Sequence, residues 1–370
     1  MTWFDAHLDL ACLAVNGRDM LASLDEINGP HARRPVGVWP PAAVTLDSLR
    51  AAGVTRVLAT IFTETDGKDA DGYPAGDAEA AHEAGLRQLR VYHNWVHDAG
   101  VRLTDFADDA GDLTGAVDDA GGGSRAYQAV TRAHAEAAIQ MGILIENADP
   151  IRSPDELPWW VERGVVAVGM AWWTPSRYAG GNGTDTGLTD LGRALARAMD
   201  DLGVIHDLSH LSQRATDELL EATGRTVIAS HSNCRALLGG TDNEAWQRHL
   251  ADETIIEIGR RGGVIGLNLV RNFLRWTPGA TPETLGRPSI DETIAHVERV
   301  CELTGSREHV GLGSDMDGGI SADDLPEGID TPGDLHTLSD ALRARGWSDE
   351  EIAGFERGNW LRVLRGRGAA

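Results

Sequence analysis

Lysine is almost absent from this chain. Lys68 is the only one, and every other basic side chain is an arginine. Cysteine is nearly as scarce: Cys12, Cys234 and Cys301 stand alone, with no CxxC pair or Cys/His spacing of a zinc ribbon. No apolar run approaches the length of about 18 residues needed to cross a bilayer. The start, Met1-Thr2-Trp3-Phe4-Asp5, lacks the basic segment and apolar core of a signal peptide, which leads us to expect a cytoplasmic protein with reduced thiols. There is no cluster of Lys and Arg, and the net charge is −24. A polyanion would be repelled, so nucleic acid is not an expected partner, and the acidity reads as a solvated surface. GxSxG, a Walker A lysine and a GxGxxG opening a helix after a strand are all missing, which removes their chemistries from consideration.

What is present is a regular alternation. The 370 residues, 42% hydrophobic, suffice for one large α/β barrel or two ordinary domains. Short apolar runs at 4–9, 56–62, 142–146, 165–171, 203–208, 226–231, 263–269 and 309–315 read as parallel strands buried on both faces. Amphipathic stretches separate them: Leu46–Ala52, Ala78–Ala99, Arg125–Met141, Leu188–Leu202, Ser212–Thr223, Asp252–Arg261 and Ile290–Thr304, with closing helices near 334–345 and 348–366. Gly53, Gly142, Gly164, Gly203 and Gly263 read as helix C-caps just ahead of strands. No Pro-, Gly- or Ser-rich linker divides the chain, so residues 1–370 are expected to form a single (β/α)8 TIM barrel with C-terminal helices; an open doubly wound sheet is the alternative. Asp105–Gly123, acidic and glycine-rich, reads as a surface loop. The polar stretch 64–77 resembles a calcium loop but has its glycine and distal glutamate out of register.

The strand ends carry the chemistry. His7 and Asp9 are two apart and point to one face, at the end where active sites of this fold lie. Glu146 follows four apolar residues, where a carboxylate is costly to bury without a cation or donors. His210 and His231 end the fifth and sixth runs, and imidazole suits zinc and related ions. His206 reads as structural. Asp315, after the eighth run, is placed to take a proton from a metal-activated water; Asp317 reads as a loop-shaping residue. These ligand types point to a two-metal hydrolase. Many such barrels bridge their metals with a modified lysine, which Lys68, in a polar loop, does not offer. Glu146 is therefore the candidate bridge.

Asp5-Ala6-His7-Leu8-Asp9, Gly187-Leu188-Thr189-Asp190-Leu191-Gly192, Asp207-Leu208-Ser209-His210, Ser230-His231-Ser232-Asn233 and Gly313-Ser314-Asp315-Met316-Asp317-Gly318 resemble, in the same order, the motifs of the membrane dipeptidase family, peptidase family M19, within the amidohydrolase-like barrels. The resemblance implies two Zn²⁺ per chain, although other divalent ions suit the same ligands. His7 and Asp9 would hold one, His210 and His231 the other, and Glu146 would bridge. Asp315 would be the general acid/base in hydrolysis of a dipeptide by metal-activated hydroxide. The family's arginine for the substrate carboxylate falls on Asp242 at the usual spacing, but the segment around Arg248 resembles the family's, with an insertion near Gly240–Gln247. Arg248 is the expected clamp. Trp172 stands where the family has a substrate-contacting histidine; an indole N–H donates a hydrogen bond but carries no proton. Arg177 and Tyr178 are possible substitutes for it. The expectation is a dipeptidase, and a homodimer is conceivable from the family. Its rivals are an amidohydrolase acting on other small amides, lactams, lactones or N-acyl amino acids, and a non-catalytic metal-binding homologue.

Overall fold

The computed structural model describes residues 2–29, 39–107, 138–281 and 284–366. Eight parallel strands form its centre: β1 (Trp3–Leu8), β2 (Val54–Ile61), β3 (Ile139–Ile145), β4 (Val165–Gly169), β5 (Ile205–Asp207), β6 (Val227–Ile228), β7 (Ile265–Leu267) and β8 (Val310–Leu312). They pair in sequence order from β1 to β6, while β7 pairs with β8 and β8 with β1. The remaining seam, β6 to β7, is closed by one parallel bridge, Ala229 to Ile265. The eight-stranded barrel expected from the apolar runs is therefore what forms, and the open sheet is excluded. Fully buried Val, Ile and Leu on both faces drive it.

Two apolar layers hold the barrel. Outside the strands, Leu8, Leu49, Val57, Ile143, Leu195, Leu267 and Ile294 belong to one core between sheet and helices. Inside, Phe4, Ala6, Leu58, Leu144, Val166, Ile205, Ile228 and Val264 fill the lumen, with Phe106 and Trp360. Trp360 opens the helix Asn359–Gly366. Its indole N–H donates to the Leu312 carbonyl at 2.9 Å, and its ring stacks 6.2 Å from that of Phe4. The C-terminal helix thus plugs the end of the barrel where the strands begin, leaving the opposite end free for chemistry.

Several expected boundaries move. The helix expected at Arg125–Met141 lies mostly outside the described residues, but its last part is strand, since β3 begins at Ile139. Gly142 is consequently mid-strand, where a side chain would meet Phe106 and Val166. Gly53 and Gly203 are left-handed C-caps as expected; before β7 the left-handed residue is Gly262, not Gly263. A short extra strand, Val101–Leu103, pairs with the start of β3. Most of the loop expected at Asp105–Gly123 lies outside the described residues. The 64–77 stretch forms a two-residue parallel ladder, Glu64–Thr65 with Gly72–Tyr73.

The thin seam has a steric requirement. A Cβ on Gly266 would sit 1.8 Å from the Ser230 carbonyl oxygen, a backbone atom with nowhere to go. We expect Gly266→Ala to destabilise the fold by about 1–3 kcal/mol or more, read as a lower denaturation midpoint at unchanged slope. An unchanged midpoint would show that the seam relaxes freely.

Candidate metal centre

Every residue singled out for chemistry lies at the open end of the barrel, most of them just past a strand. Asp9 follows β1 by one residue and Glu146 follows β3 at once. His210, His231, Asp315 and Trp172 each come three residues after β5, β6, β8 and β4. His7 is the exception, lying within β1, and it reaches the mouth through an irregularity. Phe4 and Ala6 point into the lumen, so His7 would ordinarily face outward. The ladder to β2 shifts register between Asp5 and Leu8, and this bulge turns the side chain inward. The Asp5 carboxylate pins the bulge by accepting from the His7 and Ser314 amides at 3.2 and 2.8 Å. Burial pushes Asp5 up to about 6, while those amides pull it down.

Four side chains converge. Glu146 Oε1 lies 3.1 Å from His210 Nε2 and 3.6 Å from His231 Nε2, and Glu146 Oε2 lies 3.5 Å from His7 Nε2. The two Nε2 atoms of His210 and His231 are 2.9 Å apart. Their outer nitrogens settle the tautomers. Ser230 gives its one hydroxyl proton to Asp207 Oδ2 at 2.5 Å, so it accepts from His231 Nδ1 at 2.8 Å. His210 Nδ1 donates to Asn182 Oδ1 at 3.0 Å. Both Nε2 atoms therefore present lone pairs to the same point. Burial holds both imidazoles well below their ordinary pKa, so a proton does not sit between them. His7 Nε2 and Glu146 Oε2, both buried, have no hydrogen-bond partner. Facing lone pairs and an orphaned carboxylate oxygen are the electrostatics of a cation site.

A second grouping adjoins the first. Ligand atoms of His7, Glu146 and His231 all lie within 4.8 Å of one another, as do those of His7, Asp9 and Asp315. Asp9 accepts a short hydrogen bond from the Thr60 hydroxyl. Burial, with Glu146 repelling, raises its carboxyl to about 6. Asn268 Nδ2 donates to Asp315 Oδ2 at 2.9 Å. Asp315 is raised to about 7, chiefly by burial, with His7 opposing. Glu146 reaches about 8, again from burial, partly offset by Arg248. His210 (φ 66°) and Asp315 (φ 59°) adopt left-handed backbone, uncommon without glycine. Gly318 makes room for the acids, since a Cβ there would meet Asp315 Oδ1 at 1.9 Å and Asp9 Oδ2 at 2.9 Å.

The centre opens into a cavity of about 410 Å³. Trp172 lines it, with its ring edge-to-face to Phe62 at 5.0 Å and no hydrogen-bonded proton carrier in its place. Arg177 and Tyr178 do not substitute for it: both bond the backbone at Ile151, and Arg177 also pairs with Asp149. Arg248 is buried beside the centre. It donates to Ser232 Oγ at 3.0 Å and to the His231 carbonyl at 2.8 Å, and its Cζ lies 4.7 Å from the Phe273 ring that lines the cavity. Its Nε is unpartnered. Asp242 is exposed, in the 3-10 turn Gly240–Asp242. Lys68 is exposed, and His206 pairs with Asp200 at 2.8 Å, both as expected. Asp317 binds Arg18 and the amides of Ala43 and Val44, closing a loop over the rim.

Sequence reasoning gave no role to Asp5, Asp207, Ser230, Asn182, Thr60 or Asn268. The first three carried a signal: polar residues one to three positions ahead of a ligand-type residue, inside apolar runs. Asn182, in a glycine-rich loop far from His210 in sequence, carried none.

The family model for membrane dipeptidase (Peptidase family M19) matches residues 1–368. An uncharacterized dipeptidase of Schizosaccharomyces pombe is 31% identical over 185 residues, covering 50% of this chain and 41% of that protein. Dipeptidase 3 of Rattus norvegicus is 29% identical over 180 residues, covering 49% and 33%. The chain thus spans under half the length of these curated relatives. Among solved structures, a metallo peptidase from Rhodobacter sphaeroides, liganded with a phosphinate mimic of the dipeptide L-Ala-D-Ala, superposes with a TM-score of 0.72 at 22% identity, covering 99% of both chains. The probable dipeptidase PvdM from Pseudomonas aeruginosa gives a TM-score of 0.72 at 18% identity, covering 99% of this chain and 95% of that one. These two likenesses establish the barrel type alone. With a family match running almost end to end, the chain belongs to the membrane dipeptidase family, peptidase family M19.

Proposed function

We propose that this chain, acting as one catalytic unit, is a metal-dependent dipeptidase with two divalent ions, zinc by preference. The observation that carries the reading is the meeting of the His210 and His231 lone pairs at Glu146, with both imidazoles buried and held well below their ordinary pKa. His7 and Asp9 would hold one ion, His210 and His231 the other, and Glu146 would give one oxygen to each. Divalent ions there lower the pKa of a water and polarise a carbonyl. Asp315, held by Asn268, would take the proton of the attacking water and return it to the leaving amine. Arg248 retains unused N–H donors for a terminal carboxylate. The phosphinate dipeptide mimic bound by the Rhodobacter sphaeroides relative supports this substrate size. The free thiols Cys12, Cys234 and Cys301 suit a reducing compartment. No helix among the described residues is long and apolar enough to cross a membrane. Trp172 favours one alternative: without a histidine beside the centre, N-acyl amino acids and other small amides belong on the same substrate panel.

The purified protein should contain about two metal ions per chain and hydrolyse dipeptides. Glu146→Gln should lose at least one ion and about a hundredfold in kcat or more. Full metal retention by this variant, measured by elemental analysis, would sink the bridging role.

Metal loading should release protons. In the metal-free protein burial keeps Glu146 protonated up to about 8, whereas an ion requires the carboxylate. Near pH 7 roughly one proton should leave per chain, fewer as the pH rises above 8. Titration calorimetry in two buffers of different ionisation enthalpy measures this, and buffer-independent heats would contradict it.

Arg248→Ala should raise KM for free dipeptides about tenfold or more relative to the matching C-terminal amides. An equal effect on both would remove the clamp from the reading.

A further inference from the structure

The reaction cavity is lopsided in charge. Glu64, Asp69 and Asp71 of its lining follow β2, whereas His210, His231, Val270 and Phe273 follow β5, β6 and β7 on another part of the ring. These three acids come from the short ladder and turn just beyond β2. Asp71 is buried and accepts from Asn16 Nδ2 at 2.8 Å. Among the described residues no arginine or lysine pairs with any of the three, and the carboxylates of Glu64 and Asp69 have no hydrogen-bond partner. Burial and then the neighbouring Asp71 and Asp69 push the Glu64 carboxyl upward, a sign of like charges without a counter-ion. Their oxygens do not form a group spaced for a metal ion; both such groups among the described residues lie at the centre. The cation that fits is therefore spread out and carried on a stem. Phe62 and Trp172 line the same cavity beside the acids. Aromatic faces attract a cation and cover an apolar stem.

Glu146 lines this same cavity, so on the dipeptidase reading the reacting bond lies at the metal centre within it. Arg248 lies on the His231 side, which directs a substrate's carboxyl-terminal residue there and its amino-terminal residue toward the acids. The α-ammonium is only two bonds from the scissile carbonyl and stays beside the centre, so only a long side chain reaches Glu64 and Asp69. Resting on the dipeptidase reading above, we propose that Glu64, Asp69 and Asp71 select dipeptides whose amino-terminal residue has a cationic side chain, arginine above all, because its planar fork meets two carboxylates at once.

The test uses the metal-loaded protein with arginyl-alanine and norleucyl-alanine. Arginyl-alanine should have the higher kcat/KM by about tenfold or more, a preference that shrinks with added NaCl. Glu64→Gln should cut this ratio about threefold to fivefold, and Glu64→Gln with Asp69→Asn should cut it further. Hydrolysis of both peptides without preference overturns the inference and leaves the dipeptidase reading standing. An equal loss on both peptides in the variants also overturns it, because the acids would then read the α-ammonium. If neither peptide is hydrolysed, the dipeptidase reading fails. Calorimetric binding of argininamide against norleucinamide then decides the acidic wall, with tighter argininamide binding supporting it and equal or absent binding overturning it.

Discussion

Two imidazole lone pairs aimed at each other across 2.9 Å, with a carboxylate oxygen beside them, repel. Everything at the open end of the barrel keeps that repulsion in place. Asp207 fixes Ser230, Ser230 fixes the His231 tautomer, Asn182 fixes that of His210, and Asp5 pins the bulge that brings His7 inward. Burial denies the two imidazoles a proton and the group a water shell. Such an assembly is unfavourable by itself and favourable around a cation. The fold supplies the rigidity: a filled lumen below, plugged by Trp360, and helices packed on every side.

Much of this was legible in the sequence, for physical reasons that differ by element. Strands buried on both faces appear as apolar runs, so all eight were readable. Leu46–Ala52 and Ile290–Thr304 were readable to the residue because a Thr or Ser cap and a following glycine bracket each. The seven residues assigned to the centre or the clamp, together with Trp172, gather at one end of the barrel. What was not legible depends on local distortion or on distant partners. The bulge at Asp5–Leu8 leaves no mark in composition. The start of β3 at Ile139 was hidden because Ala137-Ala138-Ile139-Gln140-Met141 continues a helical pattern. The pairing of Asn182 with His210 spans a loop and cannot be read from spacing.

The residues expected as metal ligands all gather at the centre, whereas Trp172 stands where the sequence resemblance implies a substrate-contacting histidine. Trp172 gives the cavity an apolar wall, with Phe62 edge-to-face against it. Arg248 ends the second of two 3-10 turns, Gly240–Asp242 and Trp246–Arg248. Centre and pocket overlap on one connection, since the one after β6 carries both His231 and Arg248, while Phe62, Glu64 and Trp172 come from those after β2 and β4. Substitutions on the latter two alter the pocket without replacing a residue of the centre.

The single Ala229–Ile265 bridge gives the ring a clasp. His231 hangs from one side of that clasp, and across the mouth Glu146 and His7 hang from strands β3 and β1. Whatever is bound at their meeting point ties β6 to the far wall, so occupancy and ring closure become linked equilibria. An ion held there would act as a brace, and local opening of β6 would then set it free more readily.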